Sequence, residues 1–144
     1  MEVATSHRRS ENRGQAFLLQ LATRGMILPR DVRVFVCPRD PGHSRVDDPE
    51  FPKKLQSVDL RNPDPALTSY AVRDFARQPI APHASGKEPW VLCPWHRDGI
   101  PVLYDDGSVV FHRREDLGLR PGESLVLGPD AKSELLRKFL PLQR

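Results

Sequence analysis

The sequence predicts an α+β fold in which helices pack against a small antiparallel sheet. Short β-branched runs and stretches of helix-forming residues both occur along the chain, so neither element type dominates. An Asp-Gly pair at residues 106–107 separates two apolar runs, which is a strong local signal for a β-hairpin. The 15 prolines among 144 residues favour short elements joined by many fixed turns.

The composition is that of one soluble domain with a modest core, since 38% of the residues are hydrophobic and 28% are charged. Residues 1–13 are polar and lack periodicity, so we expect a flexible tail followed by a single domain over residues 14–144. The tail has no apolar stretch typical of a secretory signal. No run approaches the roughly 18 apolar residues of a membrane helix, so we expect a cytoplasmic protein with no membrane partner.

The first half of the chain predicts two helices and one strand. Residues 14–24 are helix formers that end at Gly25, a residue typical of helix C-termini. Residues 32–36 are rich in β-branched side chains and predict a strand. The polar, proline-punctuated residues 44–63 predict an irregular loop. The Asp64-Pro65 pair predicts the N-cap of a second helix, which would run to Pro79.

The second half predicts most of the sheet and a final helix. The predicted strands are residues 90–92, 101–104, 108–112 and 124–127. Residues 119–122 contain Pro-Gly, the pair that a type II turn prefers. Residues 131–140 carry apolar side chains at helical spacing and predict the last helix.

Two segments of the chain share a pattern in which an apolar run leads into Cys-Pro and then into a histidine. A thiolate and an imidazole are both good zinc ligands, and a structural zinc ion takes four ligands at the corners of a tetrahedron. The only two cysteines of the chain lie in these segments, too few for a disulfide framework. The sequence therefore predicts one structural Zn²⁺ site. Its expected ligands are Cys37, His43, Cys93 and His96.

Alternatives to this ligand set stay open at the sequence level. His83 or His112 would replace His43 if the looser Cys-x5-His spacing of the first segment does not suit one metal. The two cysteines could instead be small buried apolar residues, with surface histidines nearby.

The paired Cys-Pro segments resemble the knuckles of a zinc ribbon, in which the second knuckle leads into a hairpin. The resemblance covers residues 32–43 and 90–112, and it implies a zinc-ribbon-like sheet whose strand ends are fixed by the metal. The chain departs from that pattern because only its second knuckle has tight spacing. A long insertion, residues 44–89, also separates the two knuckles, and its role is open.

Four arginines in and around the predicted hairpin indicate a phosphate-rich partner. They are Arg97, Arg113, Arg114 and Arg120. Guanidinium groups bind phosphates in bidentate fashion, and the net charge of +3 permits such a partner without requiring it. The alternative is a solvated hairpin edge that charge protects from pairing with other strands.

Three functions are compatible with these features. The first is a regulatory protein that acts on nucleic acid or on a protein of the transcription machinery. The second is an adaptor or inhibitor that uses zinc for shape alone and has no enzymatic activity. The third is a metal-dependent enzyme, which would need an open coordination position. No phosphate-binding loop or other catalytic motif is present, so no catalytic residue is predicted and the enzyme ranks last.

Overall fold

The computed structural model describes residues 15–27, 29–61, 64–80 and 87–141. They belong to two compact units, one that ends at Ser69 and one that starts at Tyr70. The helices and a four-stranded antiparallel sheet confirm the α+β class. The predicted tail lies outside the described residues, and the single domain over 14–144 stays a prediction. Among the helices of the described ranges, none has the length and apolar character needed to cross a membrane.

The first unit is built from short helices around an apolar core. Its α-helices are α1, Gln15–Thr23, and α2, Phe51–Gln56. Its 3₁₀-helices are Pro29–Phe35, His43–Asp47 and Pro65–Leu67. The largest fully buried side chains of this core are Leu19, Phe35 and Leu55.

Helix α1 confirms the prediction for residues 14–24. Gly25 follows it with a φ of 71°, a left-handed conformation that glycine adopts without steric cost. The chain then folds back, and the backbone N–H of Met26 donates to the carbonyl of Leu21 at 2.9 Å. Gly25 therefore ends the helix as the sequence indicated.

The strand predicted at residues 32–36 is wrong, because residues 32–35 lie in the 3₁₀-helix Pro29–Phe35. Val32, Phe35 and Val36 are buried while Val34 is 55% exposed. Buried positions at i, i+3 and i+4 fit one face of a helix and do not fit the alternation of a strand. The β-branched composition favoured the wrong element because helical packing overrides that weak preference here.

The loop predicted at residues 44–63 is wrong in part, because it contains α2 and most of the 3₁₀-helix His43–Asp47. Phe51 and Leu55, one helical turn apart, are both buried in the core. Pro52 lies in the first turn of α2, where the missing N–H of a proline has no partner to lose. Pro52 is therefore compatible with the start of this helix and does not prevent it.

The second unit contains the whole sheet, in the order β1-β2-β3-β4 with every neighbouring pair antiparallel. The strands are β1, Ala71–Val72; β2, Pro89–Leu92; β3, Gly99–Tyr104; and β4, Val109–Arg113. This confirms the strands predicted at 90–92, 101–104 and 108–112. The predicted hairpin joins β3 to β4, and Gly107 turns the chain with a φ of 83°.

The helix predicted from Asp64 to Pro79 stops after a single 3₁₀ turn. Its start is confirmed, because the Asp64 carboxylate accepts a hydrogen bond from the backbone N–H of Ala66 at 2.9 Å. The Thr68 hydroxyl and the backbone N–H of Ser69 then both donate to the carbonyl of Phe35, at 2.8 and 3.0 Å. These bonds hold the backbone extended, and β1 follows where the helix was expected.

The end of the second unit is more irregular than predicted. Residues 124–127 do not form the expected strand, and the last helix is reduced to α3, Glu134–Arg137. Phe139 instead forms a β-bridge with Arg73, and the N–H of Leu140 donates to the Val72 carbonyl at 3.0 Å. Pairing with β1 therefore ends the helix early. The turn at residues 119–122 is confirmed, with a positive φ of 77° at Gly122.

Candidate metal centre

The second cysteine segment forms the tight connection between β2 and β3. Cys93 directly follows β2, and its backbone N–H donates to the carbonyl of Pro101 in β3 at 3.1 Å. This bond continues the ladder by one residue and fixes the backbone at the cysteine. The Cys93 side chain is buried and His96, three residues later, is half-buried. The hairpin connection therefore presents a thiol and an imidazole from one short loop.

The first cysteine segment is a turn that follows the 3₁₀-helix Pro29–Phe35. The backbone N–H of Asp40 donates to the carbonyl of Cys37 at 3.0 Å and closes the turn. The backbone N–H of Arg39 points at the Cys37 sulfur, with 3.4 Å between the two atoms. Donors of this kind to a cysteine sulfur are typical of the shell around metal-bound thiolates.

A buried carboxylate holds this turn in place. Asp40 is fully buried, and its Oδ2 accepts from Arg45 Nη2 at 2.9 Å and from the Ser69 hydroxyl at 2.7 Å. The backbone N–H of Gly42 donates to Oδ1 at 2.9 Å. Ser69 Oγ in turn accepts from the backbone N–H of Cys37 at 2.8 Å. The network therefore links Asp40 to the cysteine backbone through one hydroxyl.

Sequence reasoning missed this network. A charged residue in a Pro- and Gly-containing turn is normally solvated, and nothing local marks Asp40 as buried. Its partner Ser69 is distant in the sequence. The only local signal was Gly42, whose lack of a side chain leaves room for Arg45, since a Cβ there would lie 2.9 Å from Arg45 Nη1.

The structure brings three of the four predicted ligands together. The sulfurs of Cys37 and Cys93 and a ring nitrogen of His96 all lie within 4.8 Å of one another. Both sulfurs belong to buried side chains, with residue exposures of 4% and 6%. Two thiols and an imidazole grouped in this way can hold a metal ion.

His43 is not part of that group, and its role as the fourth ligand stays a prediction. Its ring Nδ1 lies 3.0 Å from the carbonyl oxygen of Asp40, and the side chain is exposed. Of the two alternatives, His83 lies outside the described residues. His112 has its Nε2 2.6 Å from the hydroxyl of Tyr104, whose pKa is raised by burial.

Three of the four predicted nucleic-acid-binding arginines line one groove of the second unit, with a volume of about 490 Å³. They are Arg97, Arg113 and Arg114. Arg120 is exposed but is not among the lining residues; its backbone N–H donates to Glu123 Oε2 at 2.8 Å. The groove also contains two carboxylates, Asp98 and Glu115, so its charge is mixed with a positive excess.

The arginines of the groove are not equally available to a ligand. Arg114 is half-buried and donates to the carbonyl of Glu123, so part of its guanidinium holds the turn at residues 119–122. Arg113 is exposed and lies 3.9 Å from Glu115, in an ion pair whose two side chains are both more than 70% exposed. Such a pair is weak in water, so Arg113 can exchange partners at little cost.

Comparison with known proteins adds no family to this description. No protein-family model matches the chain, and neither a curated protein nor a solved structure matches it.

Proposed function

We propose that this chain is a zinc-binding protein in which Cys37, Cys93 and His96 hold the ion. The observation that carries the proposal is the mutual distance of their ligand atoms, at most 4.8 Å. Zinc binds thiolates at about 2.3 Å and imidazoles at about 2.0 Å, so tetrahedral ligand atoms lie about 3.5–3.8 Å apart. The upper bound of 4.8 Å on their separation lies about 1 Å above that spacing. The backbone N–H of Arg39 that points at the Cys37 sulfur is a donor of the kind found around metal-bound cysteines, and it supports the proposal.

The zinc ion in this proposal is structural, and the fourth ligand is a histidine, either His43 or His83. The arginine groove then performs the function: Arg97 and Arg113 contact phosphates, and the chain is a regulatory protein acting on nucleic acid or on the transcription machinery. Support comes from exposed guanidinium groups gathered in one groove. Salt-dependent affinity is the mark of this function, because phosphate contacts release counterions.

Cobalt substitution tests the ligand set directly. Co²⁺ bound by thiolates shows charge-transfer absorption, so titration of the metal-free protein should give a sulfur-to-cobalt band that saturates at one equivalent. The band should be lost in Cys37→Ser and in Cys93→Ser, because each variant lacks one of the two sulfur ligands, and it should shift in His96→Ala. His112→Ala is the matched control and should leave it unchanged. A cobalt spectrum without a sulfur-to-cobalt charge-transfer band would contradict the proposed ligand set.

A metal-dependent enzyme is the second candidate, and the number of grouped ligands favours it. Two cysteines and one histidine are also a known catalytic zinc set, with water in the fourth position. The cobalt protein separates the two cases. If the site is closed, added imidazole should leave the visible spectrum of the cobalt protein unchanged. If the site is open, imidazole should bind to the cobalt ion and change that spectrum. His43→Ala should open the site if His43 is the fourth ligand.

A further inference from the structure

The floor of the arginine groove carries an exposed aromatic ring. Phe111 lies in β4 opposite Pro101 of β3 and is 53% exposed. Its ring lies over Gly99, since a Cβ built on that glycine would be 2.6 Å from Phe111 Cε1 and 2.7 Å from Cζ. Glycine therefore gives the ring a flat support on the sheet. A supported aromatic ring open to solvent is a stacking platform for a planar ligand.

Positive charge lies on the same surface as this ring. Arg113 is two residues after Phe111 in β4, so both side chains are on the exposed face of the strand, and Arg97 lines the same groove. The nearest competing negative charge on this strand end is Glu115, whose ion pair with Arg113 is weak because both are exposed. Asp98 is the other carboxylate of the groove, and its negative charge would repel an anionic ligand.

The shape of the unit favours an unpaired strand over a duplex. Reading a duplex commonly takes a helix or a two-stranded ribbon that enters the major groove. In the described part of the second unit the only α-helix is α3, which has four residues. The β3–β4 hairpin is half of a four-stranded sheet and not a separate two-stranded ribbon. A groove of about 490 Å³ with an aromatic floor instead suits a single base with its adjacent phosphates.

We infer that this groove binds single-stranded nucleic acid, with one base stacked on Phe111 and the flanking phosphates on Arg97 and Arg113. The inference deepens the proposed nucleic-acid function and rests on it, while it is independent of the zinc ligands. Stacking is tolerant of base identity, so binding is not sequence-specific. The phosphate contacts make it weaken as salt rises.

The test is fluorescence anisotropy with the whole 144-residue chain as purified. The probes are a labelled oligothymidylate, a duplex of the same length and a labelled polyglutamate peptide. The oligothymidylate should bind more tightly than the duplex and not be displaced by polyglutamate. Phe111→Ala should weaken its binding about 5- to 150-fold, as loss of one stacked base does. Arg113→Gln should lower the slope of log affinity against log salt by about 0.7.

Matched variants separate stacking from general damage. Phe111→Tyr keeps the ring and should bind like the natural protein, whereas Phe111→Leu keeps an apolar side chain and should fail like the alanine variant. Val109→Ala, two residues earlier on the same exposed face and outside the groove, should have no effect. Asp98→Asn should tighten binding, because it removes a carboxylate from the groove.

Two results would overturn the inference, and only the second would also contradict the proposed nucleic-acid function. Equal binding of duplex and single strand, unaffected by Phe111→Ala but weakened by Arg113→Gln, rejects stacking and keeps the proposed nucleic-acid function. Binding of polyglutamate alone rejects both and identifies an acidic protein as the partner.

Discussion

Asp40 is the side chain on which the shape of the first cysteine turn depends. It has no exposed surface and accepts hydrogen bonds from Arg45, Ser69 and the backbone of Gly42. A buried carboxylate is costly unless its oxygens are paired, and here each oxygen has a donor. The ion pair with Arg45 is 2.9 Å long and lies mostly away from solvent. Through the Ser69 hydroxyl, which bonds both Asp40 and the backbone N–H of Cys37, Asp40 helps to position the cysteine.

Replacing Asp40 by alanine should therefore destabilise the protein by about 1–3 kcal/mol, because the partly buried guanidinium of Arg45 loses its carboxylate partner. It should also weaken metal binding about 10- to 100-fold, as loss of groups that position ligands does. Urea unfolding and zinc competition measure the two effects. Asp47→Ala is the control, since the exposed Arg33–Asp47 pair is worth less than about 1 kcal/mol. Similar losses in both variants would contradict this role.

Gly99 is the second residue whose identity the packing dictates. A Cβ at this position would lie 2.4 Å from the carbonyl oxygen of His112, on the paired strand β4. Because that contact is with backbone, the hairpin itself must move to relieve it. Gly99→Ala should cost about 1–3 kcal/mol of unfolding free energy in urea titrations. Gly107→Asn should cost far less, since nothing lies near that position and asparagine tolerates positive φ; equal costs would refute the steric argument.

At the scale of elements, one ion-pair cluster connects β1, β2 and the end of α3. Arg73 adjoins β1 with its side chain 3% exposed, and its Nη1 donates to Glu88 at 2.7 Å and to the carbonyl of Pro89 at 3.2 Å. Lys138, the C-cap of α3, lies 3.6 Å from the same carboxylate. Glu88 thereby neutralises a buried guanidinium where three elements meet.

This cluster predicts that the free energy of unfolding depends on pH. The hydrogen bond from Arg73, together with the charges of Arg73 and Lys138, holds the pKa of Glu88 below its usual 4.5. A carboxyl whose pKa is lowered by folding stabilises the native state above the unfolded pKa, and that stability is lost as pH falls through the folded pKa. Glu88→Gln should therefore be less stable than the natural protein at pH 7. The difference in unfolding free energy between the two proteins should become smaller below about pH 4.5.

Urea titrations of both proteins at neutral and acid pH measure that gap. Acid would also release zinc from the proposed site, but it would do so in both proteins, so the difference between them isolates Glu88. A gap that stays constant down to pH 3 would show that Glu88 carries no such linkage.

The elements that could be predicted from sequence are those fixed by local chemistry. The hairpin of β3 and β4 follows from Asp106-Gly107, and α1 ends where Gly25 stands. The elements that could not be predicted depend on distant partners. The 3₁₀-helix Pro29–Phe35 buries a helical face in its unit's core, and the segment after Leu67 is held extended by the Phe35 carbonyl.

The same distinction holds for the candidate site. Cys93 and His96 are three residues apart, so their convergence was readable from the sequence, and the resemblance of two Cys-Pro segments suggested Cys37. The burial of Asp40 could not be predicted from the sequence, because it depends on a hydrogen bond from the distant Ser69 and on the conformation of the folded turn. Phe111 looked like an ordinary strand residue until its exposure was known.

For the molecule as a whole, metal binding and folding should be coupled. A structural zinc site does not exist in the unfolded chain, so its binding free energy adds to the stability of the folded state. Addition of a strong chelator should therefore lower the Tm of the natural protein and leave the Tm of Cys93→Ser, already without zinc, unchanged. Thermal unfolding by circular dichroism measures both. A chelator effect of equal size in the two proteins would mean that it acts elsewhere.

Native mass spectrometry of the purified protein, grown with zinc, tests the central claim most directly. The proposed site predicts one zinc ion per chain in the natural protein and in the His112→Ala control. Cys37→Ser and Cys93→Ser should each lose it, because both sulfurs belong to the same group. A natural protein free of zinc, or cysteine variants that keep a full equivalent, would contradict the account.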